Sequence, residues 1–194
     1  MTNRAVSCER GFTLIEAAIV VLIIGTVAGF ATPKFVNAMR EYRASMASRQ
    51  ITDLVHRAKI QAVSVNRAAT LRIDTAANRV GLVVLDADGA ELRTEYVPLP
   101  QGVTFSMPPN VNAPMTGAPI AGSVSFTPKA GSTTEFEQQF NSRGFLVVDS
   151  PATIQAIYVG NGQVHRAVTI TSVGGIRTWI WNDDHWANTR TVSN

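Results

Sequence analysis

The hydrophobic pattern divides the chain into three stretches. In residues 12–32 apolar side chains follow one another almost without a break, and Glu16 is the only charge. As a helix this run spans roughly 31 Å at about 1.5 Å per residue, enough to cross the hydrocarbon core of a bilayer. Gly25 and Gly29 lie within it and Pro33 ends it; both residue types weaken a helix, and Gly25-x-x-x-Gly29 is also a small-residue packing spacing. Beyond Pro33 the apolar positions are Phe35, Met39, Tyr42, Met46, Ile51, Leu54, Ala58, Ala62 and Val65. Steps of mostly three and four predict one helical stripe, packed against a sheet, on a helix that ends near Asn66. Arg40, Arg43, Arg49, Asp53, Arg57 and Lys59 mostly fall off that stripe. They form a solvated face, or one for neighbouring subunits or anionic headgroups.

From Ala69 onward the period becomes two, which predicts strands over 70–73, 79–85, 91–97, 123–127, 135–140, 144–148, 154–159, 164–171 and 176–181. Asp86-Ala87-Asp88-Gly89, Gly160-Asn161-Gly162 and Gly174-Gly175 are the expected turns. The Pro- and Gly-rich stretch 107–122 is an expected irregular surface loop.

Composition narrows the class. The chain has 194 residues, 45% apolar and 16% charged, so a charge-rich disordered chain is excluded. A net charge of +3 is too small to name a nucleic-acid partner. The single cysteine, Cys8, allows no intrachain disulfide. The three histidines have no zinc-ligand spacing, and the glycines cradle no phosphate, since no helix follows them.

The N-terminus carries the strongest signal. A cleaved secretory signal with Gly29-Phe30-Ala31 as its cutting site does not require Glu16, whose unpaired charge in a bilayer costs at least about 2.5 kcal/mol. Helical periodicity also continues past that point. A lipoprotein would place Cys8 after the apolar run, not before it. Gly11-Phe12-Thr13-Leu14-Ile15-Glu16 ahead of an apolar helix strongly resembles the signal of type IV prepilins and pseudopilins. The resemblance implies that a prepilin peptidase cuts between Gly11 and Phe12 on the cytoplasmic side and N-methylates the new amine of Phe12. The leader 1–11 then departs with Cys8. It further implies that the Glu16 carboxylate meets the N-terminal ammonium of a neighbouring subunit, a pairing made strong by a low dielectric. Positive charge flanks both ends of the span, so the cytoplasmic N-terminus comes from the resemblance and not from charge. The same source implies unwinding of the stretch from Gly25 to Pro33 in assembled filaments.

Further motifs resemble the GspH/FimT group of pseudopilins and minor pilins: the helix end with Ala58 and Ala62, Val124-Ser125-Phe126, Phe140-Asn141-Ser142-Arg143-Gly144, and the hairpin from His165 to Arg177. The implied fold is α+β, a long N-terminal helix on an antiparallel two-sheet β-domain. Its expected parts are a leader (1–11), a membrane and filament-core helix (12–32), an amphipathic continuation (33–67) and a β-rich head (68–194). The implied partners are the peptidase, other pilin or pseudopilin subunits, an inner-membrane assembly platform and membrane lipid. The implied location is the bacterial inner membrane with a periplasmic head, and then a filament.

No enzyme activity, cofactor or metal is expected. His56, His165 and His185 show no triad-like setting, and Asp183-Asp184-His185-Trp186 reads as an exposed tail. Some minor pilins of this group bind DNA through a Gly-Arg-x-Arg turn. Here the matching place reads Gly174-Gly175-Ile176-Arg177 and lacks the first arginine. Lys129, Arg143, Arg166, Arg177 and Arg190 remain as a weak phosphate-binding patch, with Trp179, Trp181 and Trp186 to stack on bases; alternatively Trp179 and Trp181 share one strand face and fill the core. Two alternatives to a secretion or pilus subunit therefore stay open, a DNA-binding minor pilin and an ordinary exported β-domain protein.

Overall fold

A computed structural model describes residues 13–85, 88, 90–148, 153–182 and 184–189. The chain forms two compact units, Met1–Met39 and Arg40–Asn194. Helix α1 (Leu14–Ser64) supplies the described part of the first unit and opens the second. It ends where Asn66 turns left-handed at φ 52°. The Arg67 and Asn66 N–H groups then donate back to the carbonyls of Ala62 (3.0 Å) and Val63 (3.2 Å). This closure satisfies two end carbonyls of the helix.

Nine strands follow: β1 (Ala69–Asp74), β2 (Arg79–Leu85), β3 (Glu91–Pro98), β4 (Thr127–Pro128), β5 (Glu135–Phe140), β6 (Ile154–Gly160), β7 (His165–Thr171), β8 (Ile176–Asn182) and β9 (His185–Asn188). They pair antiparallel in two sheets, β3-β2-β1-β5-β4 and β6-β7-β8-β9. Alternation along each strand sends Leu71, Ile73, Val80 and Phe140 of the first sheet, and Ile157, Val159, Val168 and Ile170 of the second, into one core. The α1 residues Ala47, Ile51, Leu54, Val55, Ala58 and Ala62 complete it. The architecture is therefore α+β, one long helix and two antiparallel sheets.

Several local expectations change. The apolar stripe on α1 is not one buried face: Tyr42, Met46 and Val65 are exposed, whereas Ala44, Ala47, Ser48 and Val55 are buried. Small residues win those positions because the backbone lies close to the sheets. The expected strand 123–127 reduces to a bridge from Val124 to Ile157, followed by β4. This segment pairs with β6 through Ser123 and Ser125, then with β5, so it cannot stay in one ladder. The expected strand 144–148 shortens to the Leu146–Phe140 bridge, beside which the Val147 N–H donates to the Gln139 carbonyl (2.8 Å) and the Leu146 N–H to that of Ser172 (2.9 Å). Upstream of it, Asn141 Oδ1 accepts the N–H groups of Arg143 (2.9 Å) and Phe145 (3.0 Å), and Gly144 takes φ 77°, which bends the chain out of extended geometry. The expected tail instead contains β9, which pairs with β8. Gly81 is required by close approach: an added Cβ would lie 2.7 Å from Thr94 Cγ2 and Tyr96 Cδ1.

Candidate functional site: the apolar span and its acid

The described part of the first unit has no interior of its own. Leu14 is 89% exposed and Phe30 80%, and no residue from 13 to 38 is buried. The helix is long and apolar enough to cross a membrane. Fully burying one such aliphatic or aromatic side chain is worth about 1.5–3 kcal/mol, so this surface demands lipid or protein around it.

Thr13 starts the helix. The Glu16 N–H donates to Thr13 Oγ1 (3.3 Å) and to the Thr13 carbonyl (3.1 Å), and Ala17 N–H donates to the same carbonyl (3.1 Å). Thr13-Leu14-Ile15-Glu16 has the spacing of a capping box, with Thr13 as the cap. The span's hydroxyls are satisfied internally as well. Thr26 Oγ1 donates to the Leu22 carbonyl (2.8 Å), and Thr32 Oγ1 to that of Ala28 (2.7 Å). Glu16 differs. Among the described residues its carboxylate has no partner, although an unmatched ionisable group in an apolar phase is costly. The arrangement leaves one acid on an otherwise self-satisfied apolar cylinder, able to select a cation supplied from outside.

Gly25 and Gly29 have nothing within 4 Å of an added Cβ, so both present bare backbone on the surface of the span. Pro33 lies inside α1, which stays helical past it. Gly11 and Phe12, the expected cleavage and methylation pair, lie outside the described residues.

The cations of the expected phosphate patch occupy different settings. Arg166 is 9% exposed, and its Nη2 lies 3.9 Å from Glu41 on α1. Burial lowers its pKa, and the nearby Glu41 charge opposes that shift. Lys129, next to β4 in the other sheet, donates to Glu135 at 2.9 Å, a bond that raises its pKa. Arg143 occupies the 141–144 turn and Arg177 lies exposed on β8, while Arg190 is outside the described residues. Two of these cations are thus already committed to carboxylates.

The tryptophans do share a face, but not that of the main core. Trp179 and Trp186 pack on Ala156, Tyr158 and Ala167, on the far side of the second sheet. Trp186 also meets the rings of Tyr158 and Trp181 at 5.7 and 5.2 Å. The 107–122 loop covers this layer: Met107 and Ile120 pack on it, and Trp186 Nε1 donates to the Asn112 carbonyl at 2.9 Å. His165 is half-buried, which lowers its pKa. Asp184 and His185 are in contact at the head of β9, and Asp183 lies outside the described residues.

Sequence reading missed the Arg72 cluster. Arg72 is 7% exposed; it holds Glu91 with both Nη atoms (2.7 Å each) and Glu137 with Nε (2.6 Å). The Arg72 hydrogen bond is the largest cause that brings Glu91 down to about 2. An arginine between Leu71 and Ile73 on a strand reads as a solvent-facing position, and its glutamate partners on β3 and β5 are distant in sequence, so nothing signalled its burial.

A family model described as the prokaryotic N-terminal methylation motif matches residues 6–32. Among solved structures the chain is similar to two crystal structures of the type IV minor pilin FimU of Pseudomonas aeruginosa. One, in space group P21, is 17% identical with a TM-score of 0.45, covering 76% of this chain and 94% of that one. The other, in space group P65, is 16% identical with a TM-score of 0.42, covering 74% and 96%. A search of curated proteins finds no match.

Proposed function

We infer that this chain, a type IV pilin-like protein carrying the N-terminal methylation motif on a long apolar helix, is a subunit that waits in the membrane and is then built into a filament. A prepilin peptidase cuts between Gly11 and Phe12, methylates Phe12 and leaves residues 12–32 as the anchor. The head faces the periplasm. The filament is a type II secretion pseudopilus or a type IV pilus, in which the chain is a minor subunit of GspH/FimT type. The absence of any cysteine beyond Cys8 supports a minor subunit over a major pilin with a disulfide-closed loop.

One observation carries this reading. The described part of the matched segment, residues 13–32, is apolar and exposed on every side, and its single acid, Glu16, has no partner among the described residues. Moving such a helix from lipid to a filament core exchanges one apolar environment for another, so little free energy separates the two states. Glu16 adds selectivity, because the ammonium of a neighbouring Phe12 neutralises it in a low-dielectric surrounding. An assembly platform in the inner membrane drives the exchange.

Mass spectrometry of the mature N-terminus tests the processing step. Methylated Phe12 is the expected result, and a chain beginning at Thr32 defeats the reading. Glu16→Leu tests assembly: it is expected to accumulate in the membrane at the parent's level and to yield no fibres. Fibres at parental abundance would remove the role given to Glu16.

A further inference from the structure

Near the end of α1 the second unit forms a groove of about 370 Å³, lined by His56, Lys59, Ile60 and Val63 of the helix and by Arg143 and Gly144 of the 141–144 turn. Two turns press on the helix there. Lys59 Nζ donates to the Gly174 carbonyl (2.5 Å), and a Cβ added at Gly144 would lie 3.4 Å from Val63 Cγ2. The bond from the Leu146 N–H to the Ser172 carbonyl ties the two turns together. Ile60 is 67% and Val63 53% exposed, and beside the groove Phe145 and Val173 are exposed as well. The floor is therefore apolar and uncovered. The charges around it are all of one sign. Residues 54–73, 138–148 and 154–182, which supply the helix end and both turns, contain no Asp or Glu. His56, Lys59 and Arg143 have no carboxylate partner among the described residues. A second groove along α1 differs, because Asp53 lies in it with Arg49 and Arg57.

We propose that this groove receives an acidic segment of a partner protein that also carries apolar side chains. Its carboxylates meet Arg143 and Lys59, and its apolar side chains cover Ile60 and Val63. The inference goes beyond the filament reading and does not rest on it, since every residue it uses lies in the second unit. Charge and apolar area together select the occupant. Lys59 spends one ammonium donor on Gly174, and Arg143 presents a guanidinium fork, so both keep donors for a carboxylate. Covering exposed apolar surface supplies affinity, and matching the cations fixes register and speeds association. A nucleic-acid backbone supplies only the charge and leaves Ile60 and Val63 uncovered. A second copy of this chain offers few free acids, because Asp74 already holds Arg79, Glu135 holds Lys129, and Glu91 and Glu137 hold Arg72.

The test is fluorescence anisotropy with the full chain in detergent micelles and a short labelled peptide in which Glu alternates with Leu, with empty micelles as the blank. The parent is expected to bind it. Arg143→Glu should weaken binding by about tenfold or more, since reversal turns an attraction into a repulsion. Ile60→Ser should weaken it by about threefold or more, through lost apolar cover. Arg57→Glu makes the same charge change outside the groove and should leave binding within about twofold of the parent at physiological salt. All three positions are exposed, so the folded head survives each change. Peptides with Gln in place of Glu, or Ser in place of Leu, should bind about tenfold more weakly or worse. A parent that does not bind, a loss in Arg57→Glu equal to that in Arg143→Glu, or a Gln peptide that binds as well as the Glu one each overturns the docking site. Duplex DNA that binds the parent more tightly than the peptide does, and is released by Arg143→Glu, assigns the groove to nucleic acid and overturns the proposal too. None of these outcomes touches filament assembly, which Glu16→Leu tests separately.

Discussion

Phe30 and Phe140 show how differently the two units are stabilised. Phe140 is fully buried in the core that α1 and both sheets share, whereas Phe30 is 80% exposed. Both units are rich in the same aliphatic and aromatic side chains, but only the second uses them to hold itself together. In the first unit they stay exposed, and on the proposed reading lipid and then neighbouring subunits cover them. Polar groups follow the same division. Arg72, Glu91 and Glu137 satisfy one another inside the second unit, while Glu16 waits for a charge from outside. A unit that completes its own contacts folds; a unit that leaves them open assembles.

Substitution of the two phenylalanines breaks this comparison most sharply. Phe140→Ala removes a ring from a closed core, and such truncations cost about 3–5 kcal/mol. Phe30→Ala removes a ring that touches no core, so its effect on unfolding stays within about 0.5 kcal/mol. Urea denaturation of the full chain in detergent, followed by tryptophan fluorescence, reads both. Equal losses for the two variants would show that the units do not differ in this way.

The same contrast explains what the sequence made legible. The span was readable because burial on all sides in lipid requires a continuous apolar run, which no neighbouring element modifies. Strands β1, β2, β5, β6, β7 and β8 were readable because alternate residues of each enter the main core, while the intervening ones are polar, as in β1 and β5, or join the separate Tyr158 layer, as in β6, β7 and β8. The α1 stripe misled because two faces of that helix are partly apolar, and spacing alone does not say which one the sheets cover. Ala44 and Ala47 took the buried positions over the larger Tyr42 and Met46 because close packing favours small residues. Residues 123–128 serve two sheets in turn, a tertiary fact with no local signature. Strand β9 lies behind two aspartates that read as a solvated tail, but its Trp186 has a partner in Trp181 directly across the ladder. Within the site, Glu16 stood out because it is the one charge in its run. Arg166 did not announce its burial, since period two distributes arginine and its neighbours without saying that Glu41 lies opposite.

Arg72 sharpens the comparison on the polar side. Arg72→Met strands Glu91 and Glu137 beside each other. Breaking a buried pair costs about 3–5 kcal/mol, but Glu91 is 40% exposed and solvent screens it, so the loss at neutral pH is set at about 2 kcal/mol. The pH dependence separates this from a simple packing defect. Glu91 is held at about 2 in the folded chain, against a usual value of 4.5. Its contribution is therefore complete above pH 4.5 and disappears as the pH falls toward 2. The parent should lose stability through that window, and the variant, lacking the guanidinium, should lose less. Stability curves that run parallel from pH 5 to pH 2 would show that the Arg72–Glu91 pair contributes nothing to the second unit's closure.

The smallest effect lies where α1 ends. Asn66 takes φ 52°, a conformation that costs a non-glycine residue about 1–2 kcal/mol unless, like asparagine, it has local polar compensation. Asn66→Ala should lower stability by about 1 kcal/mol, and Asn66→Gly should keep or slightly raise it, since glycine enters the left-handed region freely. The measurement is the same urea titration, read as a shift in midpoint at constant slope. Because the Ala62 and Val63 carbonyls accept the closing bonds within the second unit, the shift should appear there and leave membrane insertion of the span unchanged. If Asn66→Gly weakened the chain as much as Asn66→Ala, the side chain of Asn66 and not its backbone geometry would be what ends the helix.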